Sequence, residues 1–296
     1  MQKRYQWKLK QREITAGDRT LIMGVLNVTP DSFSDGGKYS DPDRAFARAV
    51  EMEEEGADLI DIGAESTRPG SQRVPEAEEL RRLIPVLKRL RGKLVIPISV
   101  DTYKSGVAER ALDHGAEIIN DPTGLMLDMQ LPRVVAKYDA GLIVNHMRGT
   151  PETWAKLPPL KDLMRSIKID LEAALHRARQ GGVQKHQLAV DPGLGFGKRR
   201  EQNSEILANL GALRVFDLPI AIGPSRKSFL KKEDDARTEF ATAAAVTAGI
   251  LNGAHMVRVH DIKAMKSAVE IADAIKHAAW VEPEPPATQA RWQRGQ

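Results

Sequence analysis

The chain is 296 residues long and carries 44 lysines and arginines against 40 acidic residues, a formal net charge of +4. This balance is small and dispersed, which argues against a nucleic-acid-binding protein and suits a small anionic substrate. The absence of cysteine excludes disulfides, a thiol nucleophile and cysteine-ligated metal centres. The N-terminal residues lack the apolar segment of a secretory signal, and no run approaches the length of a membrane span. We expect a cytoplasmic protein with no nucleic-acid or membrane partner.

The first twenty residues differ in pattern from the rest of the chain. They alternate weakly between apolar and polar positions around Tyr5, Trp7 and Leu9, with a turn signal at residues 16–18. This pattern predicts a short β-hairpin that caps the N-terminal end of the domain that follows.

From residue 21 onward one unit repeats: an apolar run ends in a polar or glycine-rich loop, and an amphipathic helix follows. The first run, residues 21–26, stops at Asn27 and enters the loop VTPDSFSDGG. The eight helices are predicted at residues 42–56, 75–90, 104–114, 129–138, 160–180, 202–216, 238–251 and 262–279. Strands that alternate with helices pair in parallel, and eight such units predict an α/β fold of the (β/α)8 TIM barrel type.

The predicted organisation is therefore a hairpin cap at residues 1–20 and a single barrel domain at residues 21–280. The tail at residues 281–296 is rich in proline and polar residues, and we predict that it is disordered. No GxGxxG motif follows the first strand, which argues against a dinucleotide-binding open sheet.

In a TIM barrel the reacting groups come from the carboxyl ends of the strands. One set of residues at these ends has guanidinium, hydroxyl and imidazole groups that match phosphate oxygens: Thr67, Arg68, Arg258 and His260. A second set has carboxylate, amide and ammonium groups that match a flat nitrogen heterocycle: Asp101, Asn120, Asp191 and Lys227. The strand ends thus predict a site with a phosphate half and a heterocycle half.

These assignments have structural alternatives. Arg68 and Arg258 could be salt-bridge partners at the surface. Asp101 directly precedes a predicted helix and could serve only as its cap. Met147 either contacts the ligand or only packs the mouth of the barrel.

Seven motifs, in their order along the chain, resemble those of the dihydropteroate synthases of the folate pathway. They are NVTPDSFSDGG at 27–37, ESTRPG at 65–70, SVDT at 99–102, IND at 119–121, DPGLGFGK at 191–198, SRKSF at 225–229 and RVHD at 258–261. The resemblance covers nearly all of residues 21–279. It implies a (β/α)8 barrel that joins 6-hydroxymethyl-7,8-dihydropterin diphosphate to p-aminobenzoate, which yields 7,8-dihydropteroate and pyrophosphate.

The resemblance also implies roles for individual residues. The pterin pocket would consist of Asp101, Asn120, Asp191 and Lys227, with Met147 against the ring. The diphosphate would be bound by Thr67, Arg68, Arg258 and His260, with Asn27 holding Mg²⁺ against it. The p-aminobenzoate site would comprise Phe33, Thr67, Pro69, Phe196 and Ser225, beneath two mobile loops at 28–38 and 66–74.

The implied reaction begins with departure of the diphosphate, whose charge a hard cation and two arginines neutralise. Asp35 and Asp101 would stabilise the resulting pterin cation, and Lys227 completes the implied catalytic set. The arylamine then attacks without a strong base, so that positioning supplies much of the rate.

The sequence departs from the family pattern at Ala64, at Pro122 with Thr123, at Pro224 and at Ala241, none of which replaces an assigned residue. Two alternatives stay open. One is a methyltransferase of the same pterin-binding superfamily, which would not need the phosphate half. The other is a catalytically silent paralogue. We also expect a homodimer through the last two helices, whose apolar faces include Ala243, Val246, Ile250, Ile271 and Ile275.

Overall fold

The computed structural model describes residues 3–29, 42–67 and 70–279. Within these ranges the strands are β1 (Tyr5–Lys8), β2 (Glu13–Ala16), β3 (Leu21–Asn27), β4 (Leu59–Gly63), β5 (Ile98–Asp101), β6 (Ile118–Asp121), β7 (Gly141–Asn145), β8 (Leu188–Asp191), β9 (Ala221–Ile222) and β10 (Met256–Val259). The α-helices are α1 (Pro42–Glu55), α2 (Glu76–Leu90), α3 (Ser105–Asp113), α4 (Leu131–Lys137), α5 (Leu163–Gln180), α6 (Arg200–Ala208), α7 (Asp235–Leu251) and α8 (Ile262–Ala278). No helix in the described part is long and apolar enough to cross a bilayer. The tail at residues 281–296, for which we predict disorder, lies outside the described residues.

Strands β3 to β10 form one parallel sheet in the order β8, β7, β6, β5, β4, β3, β10, β9. The two end strands meet where Val190 of β8 bridges to Ile220, immediately before β9. There the Val190 N–H donates to the Pro219 carbonyl at 3.0 Å. The sheet closes on itself with a helix after each strand, which confirms the predicted (β/α)8 TIM barrel.

The N-terminal hairpin closes the bottom of this barrel. β1 and β2 pair antiparallel over four residues each. Trp7 is 1% exposed and donates from Nε1 to the Gln187 carbonyl at 2.7 Å. With Leu9 it packs against the first residues of the barrel strands, among them Leu21, Leu59, Ile118 and Met256. The predicted hairpin cap is therefore confirmed.

The observed helices differ from the predicted ones mainly at their first residues, because capping side chains fix where a helix begins. α5 begins at Leu163 rather than at residue 160, since Asp162 accepts from the Arg165 N–H at 3.3 Å. α7 begins three residues early, after Asp234 accepts from the Arg237 N–H at 2.7 Å. The helix predicted at 202–216 is instead α6 followed by a 3-10 segment, Leu210–Phe216.

The interior of the barrel changes character along its axis. The strands start with apolar residues that pack under the hairpin. Further along, β4, β5 and β6 bury the polar side chains of Asp61, Ser99 and Asn120. Buried polar groups need hydrogen-bond partners, so this layer must satisfy itself. It forms the floor of the site at the carboxyl ends of the strands.

Candidate active site

The carboxyl ends of the neighbouring strands β3, β4, β5 and β6 lie side by side at the same height in the barrel. The register pairs Asn27 with Gly63, Gly63 with Asp101, and Asp101 with Asn120. The structure thereby brings three of the predicted site residues side by side. A Cβ atom at Gly63 would lie 3.4 Å from Asn27 Oδ1 and 3.7 Å from Asp101 Cβ. Because glycine lacks that atom, a recess lies between the amide of Asn27 and the carboxylate of Asp101.

Arg258, on β10, reaches past β3 to two carboxylates. Its Nε donates to Asp61 Oδ2 at 2.6 Å, and its Nη2 donates to Asp101 Oδ2 at 3.0 Å. Arg258 therefore forms salt bridges, but with carboxylates inside the barrel mouth rather than at the surface. The same contact joins the predicted phosphate half directly to the predicted heterocycle half.

Asp61 is the residue that sequence reasoning missed. It is fully buried, and it accepts from Ser99 Oγ at 2.6 Å and from Asn120 Nδ2 at 3.0 Å as well as from Arg258. Asn145 Nδ2 then donates to Asn120 Oδ1 at 2.7 Å. The signal was in the sequence, since an aspartate interrupts the apolar run LIDIG of a buried strand.

Asp191 and Lys227 add further titrating groups to the mouth of the barrel. Asp191 accepts from the Gly193 N–H at 2.6 Å. Burial raises the pKa of Asp191 to about 6, against the opposing effects of this bond and of Lys227. Burial and the charge of Arg258 lower the pKa of Lys227 to about 8, with Asp191 and Asp101 acting in the other direction. Burial also raises the pKa of Asp101, although Arg258 opposes it.

An apolar wall lies beside these charges. Met147, Trp154 and Phe196 form a buried cluster, in which the rings of Trp154 and Phe196 meet edge to face at 5.4 Å. The Lys227 ammonium lies 4.0 Å from the centre of the Phe196 ring. Met147 thus packs at the mouth of the barrel, and whether it also contacts a ligand stays a prediction.

Lys198 joins the two loops that carry this wall. Its ammonium donates to the carbonyls of His146, Gly193 and Phe196 at 3.0, 2.6 and 3.3 Å. One side chain therefore connects the end of β7 to the glycine-rich loop after β8.

Ser225 and His260 hold together the loops after β9 and β10. Ser225 Oγ and His260 Nδ1 lie 2.9 Å apart, and the His260 N–H donates to Ser225 Oγ at 3.3 Å. Arg226, between Ser225 and Lys227, has a left-handed backbone with φ of 56°, and its Nε donates to Glu239 at 2.7 Å. The structure thus brings His260, which is predicted to bind phosphate, next to Ser225, which is predicted to bind p-aminobenzoate.

Two of the departures from the family pattern take part in local hydrogen bonds. Thr123 donates from both its N–H and its hydroxyl to Asp121 Oδ1 at 2.8 Å, which closes the turn after β6. The carbonyl of Pro224 accepts from the Lys227 N–H at 3.2 Å. Pro224 is thereby built into the turn that presents Ser225 and Lys227.

Four predicted site residues lie outside the described part of the chain: Phe33, Asp35, Arg68 and Pro69. Thr67, the last described residue before the second gap, is half-buried. Beyond that gap the Gly70 N–H donates to the Pro151 carbonyl at 3.1 Å. The loop after β4 therefore extends to the turn that follows β7.

Comparison with known proteins identifies the family. The family of pterin binding enzymes matches residues 23–260. The dihydropteroate synthase of Synechocystis sp. is 42% identical over 263 residues, which cover 88% of this chain and 91% of the relative. The enzyme of the same name from Clostridium beijerinckii is 41% identical over 272 residues, 90% of this chain and 98% of the relative. The chain belongs to the dihydropteroate synthase family. The resemblance read from the sequence motifs is confirmed.

Solved structures of dihydropteroate synthases share the fold. The Clostridium difficile enzyme, crystallised in the presence of pteroic acid, has a TM-score of 0.82 and 44% identity, and the match covers 88% of this chain and 98% of that one. The Xanthomonas albilineans enzyme with 4-aminobenzoic acid has a TM-score of 0.84 and 36% identity, with 94% and 100% coverage. The barrel described above is thus the barrel of the dihydropteroate synthase family.

Proposed function

We propose that the chain condenses 6-hydroxymethyl-7,8-dihydropterin diphosphate with p-aminobenzoate in the cytoplasm, and so forms 7,8-dihydropteroate and pyrophosphate. The observation that supports this proposal best is the hydrogen-bond network at the barrel mouth, formed by Asp61, Asp101, Asn120 and Arg258. It combines hydrogen-bonding groups for a heterocycle with a guanidinium for an anion, which is the combination this substrate presents. Relatives crystallised with pteroic acid and with 4-aminobenzoic acid support both substrates.

The pterin would bind against Asp191, Asn120 and Lys227, with Met147 on its face. An ionised carboxylate accepts two hydrogen bonds, so Asp191 suits the exocyclic amine and a ring N–H. Asn120 offers a donor and an acceptor from one amide. Lys227 donates to a ring nitrogen or carbonyl, and its neighbour Phe196 provides an apolar surface beside the ring.

In the proposed reaction the bond between the pterin methylene carbon and the diphosphate oxygen breaks, and its electron pair leaves with pyrophosphate. Thr67, Arg68, Arg258 and His260 would bind the leaving group and stabilise its charge. The carboxylates of Asp101 and Asp35 would stabilise the pterin cation. The amine of p-aminobenzoate then forms the new C–N bond and loses a proton, which requires orientation rather than a strong base.

We propose Mg²⁺ as the cofactor, held by Asn27. The amide oxygen of Asn27 borders the recess that Gly63 leaves open, and Asp101 Oδ2 would lie 3.9 Å from a Cβ atom on the other side. Oxygen ligands suit a hard cation, and Mg²⁺ commonly takes one or two protein oxygens together with substrate phosphates. The described residues hold no cluster of three or more histidine or acidic side chains suited to a metal. When bound, Mg²⁺ would neutralise diphosphate charge.

The p-aminobenzoate site would lie between Phe196 and Ser225, with Thr67 and the loop residues Phe33 and Pro69 closing over it. Phe196 is 9% exposed and offers an apolar face to an aromatic ring. Closure of the loops would exclude water, which otherwise competes with the amine for the cation.

We further propose a homodimer through α7 and α8. Of the residues expected in the interface, Ile271 and Ile275 are exposed, at 62 and 51%, whereas Val246 and Ile250 are fully buried against the barrel and cannot meet a partner. Phe240 and Leu251, which were not among the expected residues, are also exposed, at 74 and 41%. Such a patch on two adjacent helices is typical of a protein interface.

The deciding experiment measures pyrophosphate release from the dihydropterin diphosphate with Mg²⁺, in the presence and absence of p-aminobenzoate. We expect release that requires the arylamine and yields dihydropteroate. Asp191→Ala serves as the comparison variant, because it removes the acceptor for the pterin and should abolish release. A wild-type chain that binds the pterin but releases nothing would contradict the proposal and favour the silent paralogue or the methyltransferase.

A further inference from the structure

Asp61 lies beneath the mouth of the barrel and uses both carboxylate oxygens within the protein. Oδ1 accepts from Ser99 on β5, whereas Oδ2 accepts from Asn120 on β6 and from Arg258 on β10. The residue is 0% exposed, so a ligand in the mouth has no direct route to it. Two of its three partners, Asn120 and Arg258, are by contrast residues assigned to the substrate.

We propose that Asp61 is a positioning residue for the dihydropterin diphosphate: it holds Arg258 beside Asp101 and fixes the orientation of the Asn120 amide. This inference rests on the proposed function. It assigns a role to a residue that contacts no substrate and acts only through those that do.

The orientation of the Asn120 amide follows from which neighbouring groups donate and which accept. A carboxylate only accepts, so the side of the amide that faces Asp61 must be the Nδ2 group. Asn145 donates to Oδ1 on the other side, which agrees with the same orientation. The second Nδ2 hydrogen and the second Oδ1 lone pair then face the ligand in a fixed order. Without a charged acceptor at position 61, the amide could turn over and present them reversed.

The position of the Arg258 guanidinium follows from the geometry of its two ion pairs. Since Nε is held by Asp61 at 2.6 Å, the guanidinium meets Asp101 through Nη2 alone. A side-on bidentate pair through Nε and Nη2 between Arg258 and Asp101 is thereby prevented, and the observed contact uses Asp101 Oδ2 alone. Asp61 thus keeps the arginine in the mouth and part of the Asp101 carboxylate available to the pterin.

The test is Asp61→Asn, which keeps the size of the side chain and removes its charge. We expect the KM for the dihydropterin diphosphate to rise roughly tenfold or more, because the substitution weakens one charged hydrogen bond. The KM for p-aminobenzoate should change far less. Binding of 6-hydroxymethyl-7,8-dihydropterin, which lacks the phosphates, should weaken in direct titration as well.

The matched control is Glu117→Gln at the opposite end of the barrel. Glu117 is also a buried carboxylate paired with an arginine, at 2.9 Å from Arg12 Nη2. It should lower stability to urea without changing either KM. If Asp61→Asn behaves like this control, the inference is overturned and Asp61 serves the fold alone.

Ser99→Ala gives a milder second variant if Asp61→Asn fails to fold. It removes one of the bonds that orient the Asp61 carboxylate and should weaken titrated pterin binding in the same direction by a smaller factor. Unchanged binding would overturn the inference. A wild-type chain that binds no pterin would overturn the proposed function itself, which separates the two failures.

Discussion

Several individual residues at the mouth of the barrel are buried ionisable groups whose pKa values are shifted towards neutral pH. Burial raises the pKa values of Asp101 and Asp191 and lowers that of Lys227. Each group is also close enough to an opposite charge to be pulled back toward its charged form. Groups of buried ionisable side chains with shifted pKa values and oppositely charged neighbours are frequent at functional sites.

Pterin affinity should therefore depend on pH. The ionised form of Asp191 is the acceptor that the pterin needs, and its pKa is raised to about 6. As the pH falls through 6, protonation removes this acceptor, and we expect affinity to decline by about tenfold per pH unit below it. Fluorescence titration of 6-hydroxymethyl-7,8-dihydropterin between pH 5 and about pH 8 measures this.

The Asp191→Asn variant should bind the pterin weakly, and its pterin affinity should not change as the pH passes through 6. Asp170→Asn is the control, because Asp170 is an exposed carboxylate that pairs with His146 at 3.0 Å outside the proposed pocket. It should keep the wild-type profile. An unchanged step in Asp191→Asn would assign the titration to another group, with Asp101 as the next candidate.

At the scale of elements, cationic side chains hold the loops at the strand ends. Three helices each supply an arginine that donates to a backbone carbonyl there: Arg48 to His260 at 3.3 Å, Arg82 to Ala64 at 3.0 Å and Arg177 to Gly124 at 2.9 Å. Lys198 does the same for the loops after β7 and β8. The outer layer of the barrel thus restrains the loops on which the site is built.

Lys198→Met should loosen the wall of the site. It removes three hydrogen bonds from a charged donor, and we expect a loss of about 2 kcal/mol in the free energy of unfolding. Because Met147 and Phe196 sit on the two released loops, the KM of both substrates should rise by roughly tenfold. Steady-state kinetics with urea unfolding measures both. Arg200→Met, at a neighbouring exposed position, should change neither, and normal KM values in Lys198→Met would refute the coupling.

At the scale of the whole molecule, stability and chemistry occupy opposite ends of the barrel. The hairpin seals the end where the strands start, and the polar layer opens at the other. Gly141 shows how tight the seal is, since a Cβ atom there would lie 2.5 Å from Leu9 and 3.1 Å from Trp7. Mutations at the sealed end should therefore affect folding and spare catalysis.

Trp7→Ala should lower the free energy of unfolding by about 3–5 kcal/mol, because it leaves a cavity and an unpaired Gln187 carbonyl. Urea denaturation measures the loss, and the KM values of the folded fraction should match wild type. Lys8→Ala, next to it and exposed, is the control and should be nearly neutral. A variant of normal stability would mean that the hairpin does not seal the core.

The proposed dimer is tested by Phe240→Glu, which places a charge among the exposed apolar side chains of α7 and α8. Light scattering at micromolar concentration should give a dimer for wild type and a monomer for the variant. Val95→Glu is the control, since Val95 is 80% exposed between α2 and β5. A monomeric wild type would rule out the interface.

The kind of fold could be predicted from the sequence alone, and so could the meeting of several strand-end residues. Apolar runs that end in polar residues are local patterns, and parallel pairing places all such ends at one edge. Asn27, Asp101 and Asn120 could therefore be predicted to lie together. The family motifs added the expected chemistry, because their order along the chain is specific.

The contacts that hold these residues in place could not be predicted from local patterns. Arg258 and Asp61 lie 197 positions apart, and nothing local in either segment indicates that they pair. Their strands, β4 and β10, both pair with β3, and the register of these three strands brings the two side chains together. The burial of Val246 and Ile250 depends in the same way on packing between distant elements. The pattern of apolar residues along a sequence indicates which side chains prefer the interior. The partners of a buried charge, in contrast, depend on contacts that form only when distant strands pair in the folded barrel.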